Sequence, residues 1–304
     1  MKKLLLVLAV LIVIAFFVII NHQKNDPFDT GVLDYQGTTE EAFQEGFDKL
    51  RDYLLKSDKK AEFSKDAFLA SIMEHRRHFH FYTSLVSLIM ELRSGRLEEI
   101  ILPEAVANNL MAKNIFARNV QSTQLLESGL SFGFKDDDKE LKELFDIVIK
   151  DMKADGTLDK LAEEYINGAE SKDLKAVVPE KFVGAEELKI VVTGDMPPID
   201  MFAENGEPTG YNTAVISEIG KRLKKNIKFV STEAGGRSAA LLSGRADVIF
   251  WYRSTYFKNE SIPFNDIFKD SPEGVILSET YYSWDKEILI QMNKREGILG
   301  WFLK

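Results

Sequence analysis

The run from Leu188 to Ser254 constrains the fold of this chain more than any other stretch, because it alternates short apolar runs with helical patterns. The apolar runs are rich in β-branched residues and too short for helices, which predicts strands. In chain order the predicted elements are a strand over Leu188–Val192, a helix after Gly210 with Asn212 or Thr213 as its N-cap, a strand over Ile227–Val230, a helix over Arg237–Ser243 closed by Gly244, and a strand over Ala246–Trp251. This order predicts an α/β fold whose parallel strands are joined by right-handed crossovers.

The carboxyl ends of these strands are the place to look for a ligand, since open α/β sheets bind their ligands there. Asp195 follows the first strand, and Trp251, Arg253 and Ser254 end the third. Arg237 begins a helix that is predicted to face the same edge. We expect these five residues to line a binding site. The alternatives are a turn-capping role for Asp195, a core position for Trp251 and a surface ion pair for Arg253.

A second stretch repeats the plan of the first. LRSGRLEEIIL, which starts at Leu92, and LLSGRADVIFW, which starts at Leu241, share a leucine, the tripeptide SGR, an apolar residue, an acidic residue and an apolar strand. The same helix end, acidic residue and strand in the same order predict two lobes built alike. The alternative is that SGR is simply a common way to end a helix.

Composition excludes several classes of function. With 304 residues, 45% of them hydrophobic, the chain can bury the core of one large domain or of two lobes. A net charge of −9 argues against nucleic-acid binding, which needs a basic face. The absence of cysteine excludes disulfides, thiolate metal sites and a cysteine nucleophile. No nucleophile–base pair stands out, so we expect neither an enzyme nor a cofactor.

The histidine-rich segment EHRRHFH does not predict a metal site. It holds His75, His78 and His80, which are three of the four histidines in the chain. Their spacing crosses from a predicted helix into a predicted strand, and this rarely gives the geometry that a metal needs. We expect a solvated or partly packed cluster and no bound metal.

The first residues predict export. Lys2 and Lys3 precede an unbroken apolar run from Leu4 to Ile20, and no small-residue cleavage site follows it. This pattern predicts an uncleaved membrane anchor with the rest of the chain outside the cytoplasm, periplasmic or extracellular; the alternative is a cleaved signal peptide. Either interpretation places residues 25–304 outside the cytoplasm.

The motifs of the central run resemble the type 3 extracellular solute-binding proteins, the polar amino acid receptors of ABC importers. VTGDMPPI, ENGEPTGYNTAVISEIGKRL and SGRADVIF resemble the first lobe of that family, and VILSETYYSWDKEILIQMN resembles its crossover into lobe two. YQGTTEE, FYTSLVSLIMELRSGRLEEIILPEAVANNLM and the run from Leu130 to Gly168 resemble lobe two and the C-terminal end, yet they precede lobe one. The resemblance implies a two-lobed, hinged fold of the type II periplasmic-binding-protein kind.

The reversed order implies either a circularly permuted receptor or two truncated tandem copies, and we favour the permutant because the two halves supply each element once. The predicted division is an anchor or signal segment over 1–24, lobe two over 25–129, a return strand and helices that pack on lobe one over 130–169, a connection over 170–187, lobe one over 188–278, and a hinge crossover and tail over 279–304.

The resemblance also implies a ligand site between the lobes. Thr38 and Thr39 match a loop whose N–H groups, at a helix N-terminus, meet the ligand carboxylate; the alternative is a plain N-cap. Pro103 stands where the family commonly has an ammonium-binding aspartate, with Glu104 beside it, and the family's arginine position falls near Asn259.

The implied ligand is an amino acid or another small polar or anionic solute, and the implied partner is an ABC permease. An alternative function is a membrane-tethered sensor or degenerate receptor that binds a protein.

Overall fold

The computed structural model describes residues 28–33, 77–112, 118–123, 126–168, 174–256, 271–284 and 287–291. The strands in these ranges are β1 (Phe28–Leu33), β2 (Arg77–Tyr82), β3 (Glu99–Pro103), β4 (Arg118–Thr123), β5 (Leu126–Lys135), β6 (Glu187–Val192), β7 (Met201–Phe202), β8 (Pro208–Thr209), β9 (Asn226–Ser231), β10 (Ile249–Tyr256), β11 (Val275–Leu277), β12 (Tyr282–Trp284) and β13 (Glu287–Gln291). The helices are α1 (Leu85–Ser94), α2 (Glu104–Ala112), α3 (Lys139–Ala154), α4 (Thr157–Ala162), a π-helical turn over Glu163–Asn167, α5 (Tyr211–Leu223), a 3₁₀ turn over Ala234–Gly236 and α6 (Arg237–Leu242).

The strands near the start of the described chain form a five-stranded sheet with the order β2-β1-β3-β13-β4. β1 runs parallel to both β2 and β3, whereas β13 runs antiparallel to both β3 and β4. We call this sheet and its helices α1 and α2 the N-terminal lobe. Its antiparallel strand β13 comes from the far end of the described chain.

The second group of strands repeats that order. β6 and β9 pair in parallel, and Ile190 of β6 bridges Val248, just before β10, also in parallel. β10 then pairs antiparallel with β5, which in turn pairs antiparallel with β11. The order is therefore β9-β6-β10-β5-β11, and we call this sheet with α3 to α6 the central lobe. The α/β fold in two lobes that the sequence predicts is confirmed.

Each lobe receives its antiparallel strand from the other half of the chain. β5 follows β4 of the N-terminal lobe and enters the central sheet, while β12 pairs antiparallel with β5 and leads into β13 of the N-terminal sheet. Two adjacent antiparallel strands thus join the lobes. We call β5, β12 and β13 the crossover strands, and residues 279–284 and 287–291 the crossover segment.

Both SGR tripeptides end a helix, and the third strand of each lobe begins a few residues later, at Glu99 and at Ile249. Ser84 caps α1 by accepting a hydrogen bond from the N–H of Ser87, and Gly95 ends α1 with φ +79°. Gly244 follows α6 with φ +75°. Helices commonly end at a glycine in the left-handed conformation, because glycine has no Cβ to clash there. The glycine of each SGR tripeptide therefore ends a helix in the same way. The predicted repeat of one plan is confirmed at both positions.

The start of α5 differs from the prediction that Asn212 or Thr213 is its N-cap. The helix begins at Tyr211, directly after Gly210, whose φ is +100°. A Cβ at Gly210 would lie 2.7 Å from the carbonyl oxygens of Pro198 and Ile199. The close approach lets Asn212 N–H donate to the Ile199 carbonyl (2.9 Å). Backbone packing, not a side-chain cap, satisfies this helix end.

The last strand of the βαβ run also starts later than predicted. The strand begins at Ile249 and continues to Tyr256, whereas Ala246–Trp251 is the range that the pattern predicts. The extension follows from β5, which pairs with β10 along its whole length. A long-range partner that the local pattern does not contain sets this end.

An aromatic core joins the central sheet to its helices. Phe145 of α3 meets Phe132 and Phe134 of β5 edge to face, with ring centroids 5.2 and 5.0 Å apart. Phe132 stacks on Tyr281 at 4.4 Å. These contacts bury Tyr281, at the start of the crossover segment, against β5, so the position of the segment depends on the packing of this aromatic core.

The predicted N-terminal anchor, Lys2 to Ile20, lies outside the described residues, as do Thr38 and Thr39. None of the helices within the described ranges has the length and apolarity to span a bilayer.

Candidate functional site

The loop after β6 is held closed by one buried carboxylate. Asp200 accepts hydrogen bonds from the Thr193 N–H (3.2 Å), the Gly194 N–H (3.2 Å) and the Thr193 hydroxyl (2.8 Å). Its Oδ2 also lies 3.9 Å from the Arg237 guanidinium. The loop therefore folds back on the strand end and carries Asp195 toward the start of α6.

Arg237 points inward and forms an ion pair with Asp195. Its Nη2 lies 2.8 Å from Asp195 Oδ1, it donates to the Ala234 carbonyl at 3.2 Å, and it also donates to the Thr193 hydroxyl. The Arg237, Asp195 and Asp200 side chains are 6%, 11% and 2% exposed. We call Thr193, Asp195, Asp200 and Arg237 the strand-end cluster. It places two carboxylates and one guanidinium out of water.

Burial sets the electrostatics of this cluster. Desolvation raises the pKa of Asp200; the Arg237 charge opposes that shift, and the Asp195 charge adds to it. Asp195 Oδ2 is buried and has no hydrogen-bond partner among the described residues. A buried acceptor without a donor costs free energy, so this atom is the least satisfied part of the cluster.

A small cavity of about 10 Å³, which we call the strand-end cavity, adjoins the cluster. Its walls are Leu130, Met196, Asp200, Asn212, Arg237, Phe250, Trp251 and Tyr252. One water molecule needs roughly this much space. Trp251 is only 1% exposed and packs in an apolar cluster with α6 residues, so its core interpretation is the one that the packing matches.

A larger cavity, of about 200 Å³, lies on the other side of an aromatic contact. Its walls are Glu104, Ala105, Asn108, Ile166, Asn167, Tyr282 and Trp284, and we call it the crossover cavity. Trp284 contacts Tyr252 of the small cavity with ring centroids 5.4 Å apart. The two cavities share no lining residue. Glu104 therefore belongs to a different place from the strand-end cluster.

The structure brings together three of the eight predicted site residues and places a fourth, Glu104, on the wall of the crossover cavity. Asp195 and Arg237 form the ion pair, and Trp251 and Arg237 line the same small cavity. Arg253 and Ser254 lie in β10, opposite Gly129 and Ser128 of β5.

The side chains of Arg253 and Ser254 lie outside what the structure describes, as do Thr38 and Thr39. The roles of all eight as ligand-binding residues stay predictions.

Sequence reasoning missed Asp200, Asn212, Tyr282 and Trp284. Asp200 carries a usable signal, since it is a second acid in the loop that follows a predicted strand. The other three carry none, because their position depends on the crossover strands and on the packing of α5.

Two histidines of the predicted cluster lie close to the same carboxylate oxygen. His80 Nε2 lies 3.0 Å from Asp29 Oδ1, and His78 Nδ1 lies 3.8 Å from the same oxygen. His75 lies outside the described residues. Two parallel strands, β1 and β2, place these side chains side by side.

Residues 188–289 match the family model of bacterial extracellular solute-binding proteins, family 3. The resemblance that the sequence predicts is therefore confirmed over about a third of the chain, the part that contains the strand-end cluster and the start of the crossover segment. Proteins of this family bind solutes outside the cytoplasm, as its description states. No curated protein matches the chain.

Solved structures overlap the fold only loosely. The reduced OxyR regulatory domain from Pseudomonas aeruginosa gives a TM-score of 0.35 at 10% identity and covers 92% of this chain and 96% of that one. An ABC transporter protein from Parabacteroides distasonis gives a TM-score of 0.37 at 11% identity and covers 91% of this chain and 70% of that one. An ancestral arginine-binding protein bound to arginine gives a TM-score of 0.34 at 9% identity and covers 91% of this chain and 89% of that one. Overlaps of this size carry no argument about ligand or role.

Proposed function

We propose that this protein captures a small polar solute between its two lobes, outside the cytoplasm, and delivers it to the permease of an ABC importer. The observation that carries the proposal is the pair of crossover strands. Two adjacent strands that join two α/β lobes form a natural hinge, and hinge closure around a ligand is a common way to bind. The family match to residues 188–289 supports the same function.

The solute class that we propose is an amino acid or a small carboxylate. The Arg237 guanidinium is held inside the protein by Asp195, Thr193 and Ala234. An anionic group of the ligand would therefore meet Arg253, together with the N–H groups near Thr38 and Thr39. The Lys2 to Ile20 segment would hold the receptor at the membrane.

We also propose that the two halves form one permuted receptor and not two truncated copies. The exchange of β5 and β13 supports this, since each sheet takes its antiparallel strand from the other half. Two separate truncated copies would leave both sheets without that strand. No catalytic step enters the proposal.

The test is thermal unfolding of the full-length chain in detergent against a panel of amino acids, small carboxylates and short peptides. A ligand at one hundred times its dissociation constant stabilises the folded state by about 2.7 kcal/mol. We expect one class to raise the melting temperature, and we expect Arg253→Ala to abolish the shift. The control, Arg96→Ala, removes an exposed arginine on α1's C-terminal side and should keep the shift.

A second candidate is a membrane-tethered sensor or degenerate receptor that binds a protein. The small size of the strand-end cavity, about 10 Å³, favours it, because the protein's own ion pair fills that edge. If the chain is well folded and no compound in the panel raises its melting temperature, the result would support the sensor and would count against solute capture.

A further inference from the structure

The crossover cavity is enclosed by elements of both lobes and by a strand that joins them. Ala105 and Asn108 come from α2, which packs on β3 and β13 of the N-terminal lobe. Ile166 and Asn167 come from the π-helical turn, which packs on α4 of the central lobe. Tyr282 comes from the crossover strand β12. A molecule in this cavity would therefore touch three elements at once.

Each of these three elements brings a polar group that lacks a hydrogen-bond partner. The Asn108 amide and the Tyr282 hydroxyl make no hydrogen bond within the described part of the chain, and neither group is completely buried. The Asn167 NH₂ donates to Glu163 Oε2 at 2.7 Å, which fixes the amide. Its carbonyl oxygen has no donor among the described residues. A ligand could therefore form a hydrogen bond with every one of the three.

The size and the lining of the cavity favour a small neutral molecule. An apolar cavity of about 150 Å³ in another protein binds benzene. The crossover cavity, at about 200 Å³, has room for a ring of that size with polar substituents. Its wall is mostly polar, and Glu104, the one lining residue with a formal charge, is acidic and disfavours an anion. Glu104 and Trp284 have further interactions within the protein, and the site does not depend on either.

Hydroxyl groups match this lining better than other neutral groups. A hydroxyl both donates and accepts, so it can bond to an amide NH₂, an amide carbonyl or a phenol. Burial raises the pKa of Tyr282, and the negative charge of Glu104 adds to the rise, so the phenol stays protonated and can donate. Single π-helical turns are frequent at functional sites, and one such turn carries Asn167.

We propose that the crossover cavity binds a small neutral polyol, such as a monosaccharide or a cyclitol, through hydrogen bonds to Asn108, Asn167 and Tyr282. The site does not include Arg253, Thr38 or Thr39, and it does not rest on the proposed solute-capture function. Because α2, the π-helical turn and β12 meet at this cavity, a bound polyol would favour the lobe arrangement in which all three contacts form.

The probes are myo-inositol, which carries a hydroxyl on every ring carbon, and cyclohexanol, which has the same ring and a single hydroxyl. Calorimetric titration of the full-length chain, in a detergent without a sugar headgroup, should show saturable binding of myo-inositol. Cyclohexanol should bind at least about tenfold more weakly, because it leaves polar groups of the site unpaired.

Sucrose is the control for the general stabilisation of folded proteins by polyols, and it should give no saturable heat because it is too large for the cavity. If myo-inositol, D-glucose and D-xylose all fail to bind saturably, the proposal is wrong. Cyclohexanol that binds as tightly as myo-inositol would also overturn it.

Variants locate the binding. Asn108→Leu keeps a side chain of similar size, suits a helix and removes the amide, so it should weaken myo-inositol binding about threefold to tenfold. The matched control, Asn205→Leu, makes the same change in the exposed turn between β7 and β8 and should leave binding unchanged. Tyr282→Phe removes only a hydroxyl and should weaken binding by a similar factor. Unchanged affinity in both Asn108→Leu and Tyr282→Phe would refute the proposal.

Arg253→Ala separates this site from the solute-capture proposal. It should abolish the thermal shift that we expect from amino acids or carboxylates, and it should leave myo-inositol binding unchanged. Loss of myo-inositol binding in Arg253→Ala would place the polyol among the solute-capture residues and would overturn a separate site.

Discussion

Replacing Arg237 by methionine should destabilise the protein strongly, because it removes the one cation from the strand-end cluster. The guanidinium is 6% exposed and lies 2.8 Å from Asp195 Oδ1 and 3.9 Å from Asp200 Oδ2. Methionine fills similar space without the charge. Two carboxylates would then remain buried side by side, with Asp195 Oδ2 already lacking a hydrogen-bond partner among the described residues.

The expected cost is about 3–5 kcal/mol, the range for breaking a buried ion pair by removing one partner. Arg222→Met is the control, because Arg222 bonds to Asp155 (2.8 Å) and Glu218 (3.0 Å) on the surface and is 25% exposed. Partly exposed pairs of this kind contribute about 0–1 kcal/mol. The two substitutions are chemically identical, so the difference between them measures burial.

Urea unfolding followed by circular dichroism measures both values. The midpoint should fall in Arg237→Met with little change in the slope, since the surface exposed on unfolding stays the same. The difference in free energy of unfolding between Arg237→Met and the unmodified protein should also become smaller as the pH is lowered. Removal of Arg237 takes away the charge that opposes the raised pKa of Asp200, so the folded state binds a proton that the unfolded state lacks.

The sign of the pH effect follows from linkage. Where the folded state binds more protons, stability falls as pH rises, so the variant should gain stability as pH falls from the raised Asp200 pKa toward the ordinary carboxylate value of about 3.9. Arg222→Met leaves the charges around Asp200 in place, so its loss of stability relative to the unmodified protein should change much less with pH. A deficit below about 1 kcal/mol in Arg237→Met, or one that does not depend on pH, would refute the buried-charge argument.

Three further substitutions test the packing around the site. Gly210→Ala should cost about 1–3 kcal/mol more than Gly206→Ala in urea unfolding, because both have positive φ but only Gly210 has backbone oxygens 2.7 Å from the added Cβ; equal costs would contradict this. Tyr281→Phe should cost about 1–3 kcal/mol by leaving the buried Asn212 Oδ1, 2.7 Å away, without its donor, and a neutral result would show that another donor replaces it. Asp146→Ala should lower the melting temperature, since Asp146 accepts the backbone N–H at the start of the crossover segment at 2.7 Å; an unchanged melting temperature would exclude that anchoring role.

Local patterns were sufficient to predict the repeated βαβ plan. The SGR tripeptides place a glycine with positive φ at the end of α1 and again after α6, and the third strand of each lobe begins within five residues of it. Apolar runs such as Leu188–Val192 need only their own composition to be identified as strands. The α/β class and the two lobes therefore followed from the sequence.

Long-range pairing explains what the patterns could not predict. β4, with the sequence RNVQST, is polar and becomes a strand because it pairs with β13. β12 has three residues and is a strand because it lies beside β5. Tyr282 and Trp284 of β12 line the larger cavity, so the sequence pattern did not indicate that they lie on the same cavity wall as Glu104.

Charge orientation was equally hidden. The sequence shows Arg237 near the strand ends, but not whether it faces a ligand or the protein. The loop from Thr193 to Asp200 decides this, since its fold-back brings Asp195 against the guanidinium. A buried pair of this kind arises from the path of the loop, which no periodic pattern encodes.

The exchange of strands between the lobes has a consequence for biosynthesis. β4 has β13 as its sheet partner, and β3 needs β13 to cover one edge, so the sheet that starts at Phe28 stays unfinished until Glu287–Gln291 has been made. A nascent or C-terminally clipped chain would present open strand edges, which are prone to pair with other chains. Chaperone binding during synthesis should therefore persist until the last crossover strand is available.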